Sequence, residues 1–198
     1  QQQAIPAILD GKDILGIAQT GSGKTASFVL PILQQLQAGI STKNRHVRAL
    51  VVVPTRELAI QVNDVFTTLG ANLPMPIKTM AVYGGVSINP QMIGLQGVEV
   101  LVATPGRLLE LISTNAVSLS AIKILVLDEA DKMLNLGFKE EMTKIFGLLP
   151  KNRQNLLFSA TLSDDLNNIN RNLLRNPVVI KVEEEIQNLD LMKHLFLL

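Results

Sequence analysis

The chain has 198 residues, 47% hydrophobic and 18% charged, a balance that belongs to a globular domain and excludes a disordered tail. Lys and Arg total 18 against 17 Asp and Glu, a net charge of +1, so any nucleic-acid site must be a local patch or use backbone amides. The absence of cysteine rules out disulfides, cysteine zinc sites and thiol catalysis. No apolar run approaches a membrane span of roughly 18 residues, and no signal peptide is visible, which together agree with a cytoplasmic protein.

The chain opens on Gln1-Gln2-Gln3, without Met and in a helical pattern, as expected of a piece of something longer. Seven short β-branched runs then recur: Asp13–Ala18, Arg48–Val53, Ile77–Tyr83, Val98–Ala103, Ile122–Asp128, Gln154–Ser159 and Val178–Val182. They are apolar on consecutive positions, as expected of strands covered on both faces. Amphipathic segments such as Lys24–Leu36 and Arg56–Leu69 lie between them. The alternation predicts an α/β fold, a doubly wound and mainly parallel sheet of about seven strands with helices on both faces.

In such sheets ligands sit beyond the carboxyl ends of the strands. The unusual residues of this chain follow Ala18, Val53, Tyr83, Ala103, Leu127 and Phe158, all at that edge. Residues 39–48 read as a polar surface loop. Residues 1–182 are predicted to form one domain. Within 183–198, Glu183–Asp190 reads as a linker and the remainder as the first strand of a second domain, or alternatively as a final helix on this sheet.

After the first predicted strand comes AQTGSGKT, residues 18–25. Successive backbone N–H groups in a Gly-rich turn, followed by a helix N-terminus, make a cradle for phosphate. Thr20, Gly21, Ser22 and Gly23 would form it. Lys24 can reach the β and γ phosphates, and the Thr25 hydroxyl can ligate magnesium. Ala18 stands where the pattern G-x-x-x-x-G-K-[ST] has its first Gly. A chance Gly-rich turn is the alternative, opposed by the strand before it and the helix after it.

The fifth run ends in ILVLDEAD, residues 124–131, where an apolar strand delivers three acids. An unpaired buried carboxylate costs several kcal/mol, so a cation is expected beside it. In P-loop enzymes a second strand ends in an acid that holds magnesium. Asp128 suits that role. Glu129 would then stand near the γ phosphate and could orient or deprotonate the attacking water. Capping of the next helix explains either acid alone, but not the buried strand before them.

With these motifs the chain resembles the DEAD-box RNA helicases, most closely bacterial members of the RhlE type. DEAD at 128–131 stands with AQTGSGKT at 18–25, PTREL at 54–58, GG at 84–85, TPGR at 104–107 and SAT at 159–161, in the family's order. The likeness is to the first of two RecA-like domains and covers nearly the whole chain. It implies an ATP- and magnesium-dependent RNA helicase that couples ATP hydrolysis to duplex separation, or an ATP-switched RNA clamp without unwinding. It further implies that Gln1 reads adenine. Pro54, Thr55, Arg56, Glu57, Gly84, Gly85, Thr104, Pro105, Gly106 and Arg107 would meet the RNA backbone, with little base readout.

Ser159 and Thr161 would contact Asp131 and couple the ATP site to the interdomain cleft. The partners implied are RNA and a second RecA-like domain of the same protein, which would otherwise act as a monomer. Residues 1–198 alone should then show neither RNA-stimulated ATPase nor unwinding, because the second domain brings arginines to the γ phosphate. A P-loop kinase is opposed by the lack of an acceptor-lid segment, and a DNA motor by the combined motifs.

Overall fold

The computed structural model describes residues 1–19, 23–38 and 46–182. Seven strands form one sheet: β1 (Ile14–Ile17), β2 (Ala49–Val52), β3 (Thr79–Val82), β4 (Val100–Ala103), β5 (Ile124–Leu127), β6 (Gln154–Ser159) and β7 (Val178–Lys181). Their order across the sheet is β3-β4-β2-β5-β6-β1-β7, and every pairing is parallel. All seven predicted strands are present, most of them trimmed by a residue or two at each end. There the chain leaves the ladder to enter the loops that hold the polar residues.

The consecutive apolar residues of each strand feed two cores. Side chains alternate across a strand, so Val51, Val53, Val100, Val102, Ile124, Val126 and Leu156 point to one face. They meet α1 (Ala4–Leu9), α2 (Lys24–Ala38) and α3 (Arg56–Gly70) through Ile8, Phe28, Ile32, Val62 and Phe66. Leu50, Val52, Leu101, Leu125, Leu127 and Leu157 point the other way. They meet α5 (Pro105–Ser113), α6 (Ala130–Asn135), α7 (Lys139–Leu148) and α8 (Asp164–Leu173) through Leu108, Leu111, Met133, Ile145 and Leu166.

The chain runs one way along the sheet from β1 to β3 and then reverses. Right-handed crossovers put connections of opposite direction on opposite faces, which is why the helices divide as they do. Helix α1 is tied down by side-chain amides: Gln35 and Gln154 both donate to the Ile8 carbonyl, at 2.7 and 3.0 Å. That anchorage fixes where Gln1 lies.

At the opposite, amino edge of the sheet, buried Asp13 accepts from the backbone of Asn155 and Arg175, each at 2.8 Å. It ties β1 and β6 to the segment leading into β7. Among the described residues no helix is long and apolar enough to cross a membrane.

Candidate active site at the carboxyl edge of the sheet

Strand order divides the carboxyl edge into two halves. The loops after β1, β5 and β6 lie over one stretch, β5-β6-β1, and those after β2, β3 and β4 lie over the adjacent stretch, β3-β4-β2. Lys24, Asp128, Glu129, Asp131, Ser159 and Thr161 belong to the first half. Residues 54–57, 84–85 and 104–107 belong to the second.

In the first half, Asp128 ends β5 fully buried. Its Oδ1 lies 3.1 Å from the Nζ of Lys24, which opens α2, and accepts the Glu129 backbone N–H at 2.9 Å. The lysine is close enough for an ion pair, although its ammonium lacks the alignment of a hydrogen bond. The other carboxylate oxygen, Oδ2, is buried with no partner among the described residues. Burial pushes the Asp128 carboxyl above its ordinary value, and the Lys24 charge pulls it part of the way back.

A buried orphan oxygen of this kind calls for a cation. Asp128 and the partly exposed Thr25 beside Lys24 offer hard oxygen donors suited to magnesium. Among the described residues no cluster of three His, Cys, Asp or Glu gathers round a metal position. A magnesium ion held here would take only one or two ligands from these residues and the rest from phosphate and water.

Glu129 adopts φ 53° and ψ 49°, left-handed backbone that costs a non-glycine residue on the order of 1–3 kcal/mol. Its carboxylate lies 3.6 Å from the Nζ of Lys132 and is largely covered. Lys132 carried no signal in the sequence. Asp131 Oδ2 accepts from the Thr161 backbone N–H at 3.1 Å and from its hydroxyl at 2.9 Å. Ser159, wholly buried, donates instead to the Thr161 carbonyl at 2.8 Å and so reaches Asp131 only through Thr161. Because Ser159 is the last residue of β6, its side chain is turned inward, and the expected pair of hydroxyls on Asp131 is a single one.

Gln1 reaches the phosphate loop, its Nε2 donating to the Gly23 carbonyl at 3.2 Å. Gly23 has φ +74°, which glycine adopts without strain. Thr20, Gly21 and Ser22, expected to form the cradle, lie outside the described residues, as do the predicted linker and the strand expected after it, together residues 183–198.

In the second half, Thr55 caps α3, accepting the Leu58 N–H at 3.2 Å, while Arg56 and Glu57 project from the first turn into solvent. The Arg56 guanidinium stacks 5.0 Å over the Tyr83 ring and joins the loops after β2 and β3. Pro54, Thr104 and Pro105 are buried.

Arg107, expected to meet the RNA backbone, is turned inward. It is 7% exposed, with Nε on Glu110 at 2.8 Å and Nη2 on the Val86 carbonyl at 2.8 Å, while Nη1 is buried without a partner. The reason is its place three residues into α5, where the side chain lies back beneath the loop after β3.

The glycines of this half are informative. Gly84 and Gly106 have ordinary φ values, and a Cβ at either would meet nothing within 4 Å. Neither backbone shape nor internal packing requires glycine at these two positions. Two residues that sequence reasoning overlooked complete this half, Tyr83 and Gln91. Gln91 belongs to no motif of the sequence and lies on a short helix.

Residues 1–169 match the family model of the DEAD/DEAH box helicases. The chain belongs to the DEAD/DEAH box helicase family. It is 45% identical over 183 residues to the DEAD-box ATP-dependent RNA helicase CshA of Streptococcus pneumoniae, covering 92% of this chain and 34% of that protein. Identity to the ATP-dependent rRNA helicase rrp3 of Emericella nidulans is 42% over 195 residues, 98% of this chain and 41% of the relative.

The crystal structure of a DEAD box protein from the hyperthermophile Methanococcus jannaschii superimposes with a TM-score of 0.83 at 37% identity. It covers 91% of this chain and 48% of that one. This likeness makes the sheet a DEAD-box RecA-like domain. The chain spans about a third to two-fifths of the length of these curated relatives.

Proposed function

We propose that the chain is the first RecA-like domain, residues 1–182, of an ATP-dependent RNA helicase, with residues 183–198 leading into a second such domain. The observation that carries this reading is the divided edge. One half holds a buried lysine–carboxylate pair with an unspent oxygen, and the adjacent half holds glycines whose open side faces out. A triphosphate on the first half and a polynucleotide backbone on the second fit that division.

Each residue then has a task. Lys24 turns from Asp128 to the β and γ phosphates, and Gln1 reads the adenine edge. Asp128 and Thr25 would hold magnesium, which neutralises charge on the phosphates as they separate. Glu129 accepts the proton of the attacking water, and its fixed backbone holds the carboxylate toward the γ phosphate. Asp131, bonded to Thr161, carries the state of the ATP loop to the segment after β6.

On the other half Thr55, Arg56, Glu57, Gly84, Gly85 and Gly106 line the RNA backbone, with Thr104, Pro105 and Arg107 supporting them from beneath. With aromatics at 4%, bases lack stacking platforms, so binding depends on phosphate and 2′-OH and is largely independent of sequence. The reading extends to a cytoplasmic monomer, in agreement with the absence of cysteine.

The test is steady-state phosphate release by the full-length protein with no nucleic acid, with RNA, and with DNA of the same sequence. Stimulation by RNA alone is expected. Equal stimulation by DNA, or none by either, would overturn the substrate assignment. Displacement of a labelled strand from an RNA duplex separates a helicase from an ATP-switched clamp.

A further inference from the structure

Strand β3 is an edge strand, paired only with β4. In a parallel ladder successive residues turn their N–H and C=O to opposite sides. The Val82 carbonyl faces β4 and accepts the Thr104 N–H at 3.1 Å. Tyr83, one residue on, therefore turns both its polar groups to the open side, where no strand exists to meet them.

A side chain meets them instead. Gln91, on the short helix α4 (Asn89–Gly94), donates from Nε2 to the Tyr83 carbonyl and accepts the Tyr83 N–H at Oε1, both at 3.1 Å. Its amide does for this residue what a neighbouring strand would do. It is 7% exposed, an unusual burial for glutamine unless its bonds are made.

Gly84 and Gly85 follow directly. Two consecutive glycines have more backbone freedom than any other pair, and Gly85 needs it, with φ +81°. Freedom that survives in the free protein must be surrendered on binding, so a loop of this kind binds weakly unless its ends are fixed beforehand. Here both ends are fixed, Tyr83 by Gln91 and Val86 by Arg107.

The geometry points to Gln91 as a positioning residue for RNA binding, whose amide closes the open edge of β3 at Tyr83 and holds the Gly84–Gly85 turn in the shape that meets the RNA backbone. The inference rests on the RNA reading of that turn given above. Gln91 touches no RNA itself.

The experiment uses the full-length protein, a fluorescently labelled single-stranded RNA with a non-hydrolysable ATP analogue, and a fluorescent ADP analogue for nucleotide affinity. Gln91→Met keeps the length of the side chain and removes both bonds. Gln91→Glu keeps the acceptor and sets a carboxylate against the Tyr83 carbonyl. Gly85→Ala alters the turn directly.

Both Gln91 variants should weaken RNA binding roughly tenfold, the effect of losing one or two ordinary hydrogen bonds from the bound geometry. The Kd for the ADP analogue should stay near wild type, and the melting temperature of Gln91→Met should fall by only a few degrees, the effect of two lost hydrogen bonds on a protein that still folds. The slope of RNA affinity against salt should not change, because no charge that meets phosphate is lost.

RNA affinity within twofold of wild type in both Gln91 variants, with Gly85→Ala weakened, would overturn the positioning role and leave the RNA reading standing. Equal loss of RNA and nucleotide affinity would also overturn it, as general destabilisation. Wild-type protein that fails to bind RNA, or Gly85→Ala that binds as wild type, would overturn the reading beneath it.

Discussion

The Nζ of Lys24 stands 3.1 Å from Oδ1 of Asp128, and both side chains are almost sealed from water, at 9% and 1% exposed. Neither residue explains its burial alone. The Lys24 ammonium makes no hydrogen bond and Asp128 Oδ2 has no partner among the described residues, so on the proposed reading nucleotide and magnesium would take up what this pair leaves unspent.

Its pH dependence follows from the raised Asp128 carboxyl. A folded-state value above the ordinary 3.8 means that the folded protein holds this proton more tightly than the unfolded chain. Stability from this site is then greatest at low pH and is lost as pH rises from the ordinary value through the folded one. Lys24 pulls the carboxyl down and narrows that window. In the nucleotide-free protein, Lys24→Ala should therefore be penalised more at about pH 7.5 than at about pH 4.5. Denaturant midpoints for variant and wild type at the two pH values are the measurement. A constant offset between them would mean that Lys24 does not act on Asp128.

Glu129→Gln should reduce ATP turnover about 10²- to 10⁴-fold while the nucleotide Kd moves by less than about twofold. The amide keeps the shape and the left-handed backbone position but cannot accept the proton. Single-turnover hydrolysis by the full-length protein is the direct measurement. Normal turnover would remove Glu129 from the base role and direct attention to another acid at this edge.

Much of this was legible in the sequence. Seven strands could be found because each is a short apolar run whose two faces are both buried, as Leu50 and Val51 show by pointing into different cores. The site motifs were legible because glycine, lysine and acids at strand ends have few other uses. Side-chain direction was not legible. Arg107 looks in sequence like a surface fork, but its helix position turns it inward. Ser159 and Thr161 look equivalent, yet only one reaches Asp131. Gln91 gave no pattern at all, because its partner is the free edge of β3, and strand order is not written locally.

Arg107 bears directly on salt dependence. Arg107→Ala should weaken RNA binding by loosening Val86 and should lower stability by about 1 kcal/mol, the loss of a buried hydrogen bond. Its salt slope should stay close to wild type. A direct phosphate contact would instead flatten the slope by about 0.7, the value for one charge on a single strand. Binding titrations at several salt concentrations decide between the two. A shift near 0.7 would show that the guanidinium swings out of its buried position to meet RNA.

Gly106 separates stability from binding most sharply. It occupies the first turn of α5, where a glycine is less favourable than alanine by up to about 1 kcal/mol. A Cβ there would meet no protein atom within 4 Å, and the φ is one that alanine adopts freely. On folding grounds alone alanine is the better residue. Gly106→Ala should therefore leave the melting temperature unchanged or raise it by a few degrees, while RNA affinity falls because the added methyl occupies space the backbone enters. Thermal unfolding and RNA titration of the same full-length preparation give both numbers. If RNA affinity were unchanged while stability rose, the strand would not pass over α5, and the RNA path would be confined to the loops after β2 and β3.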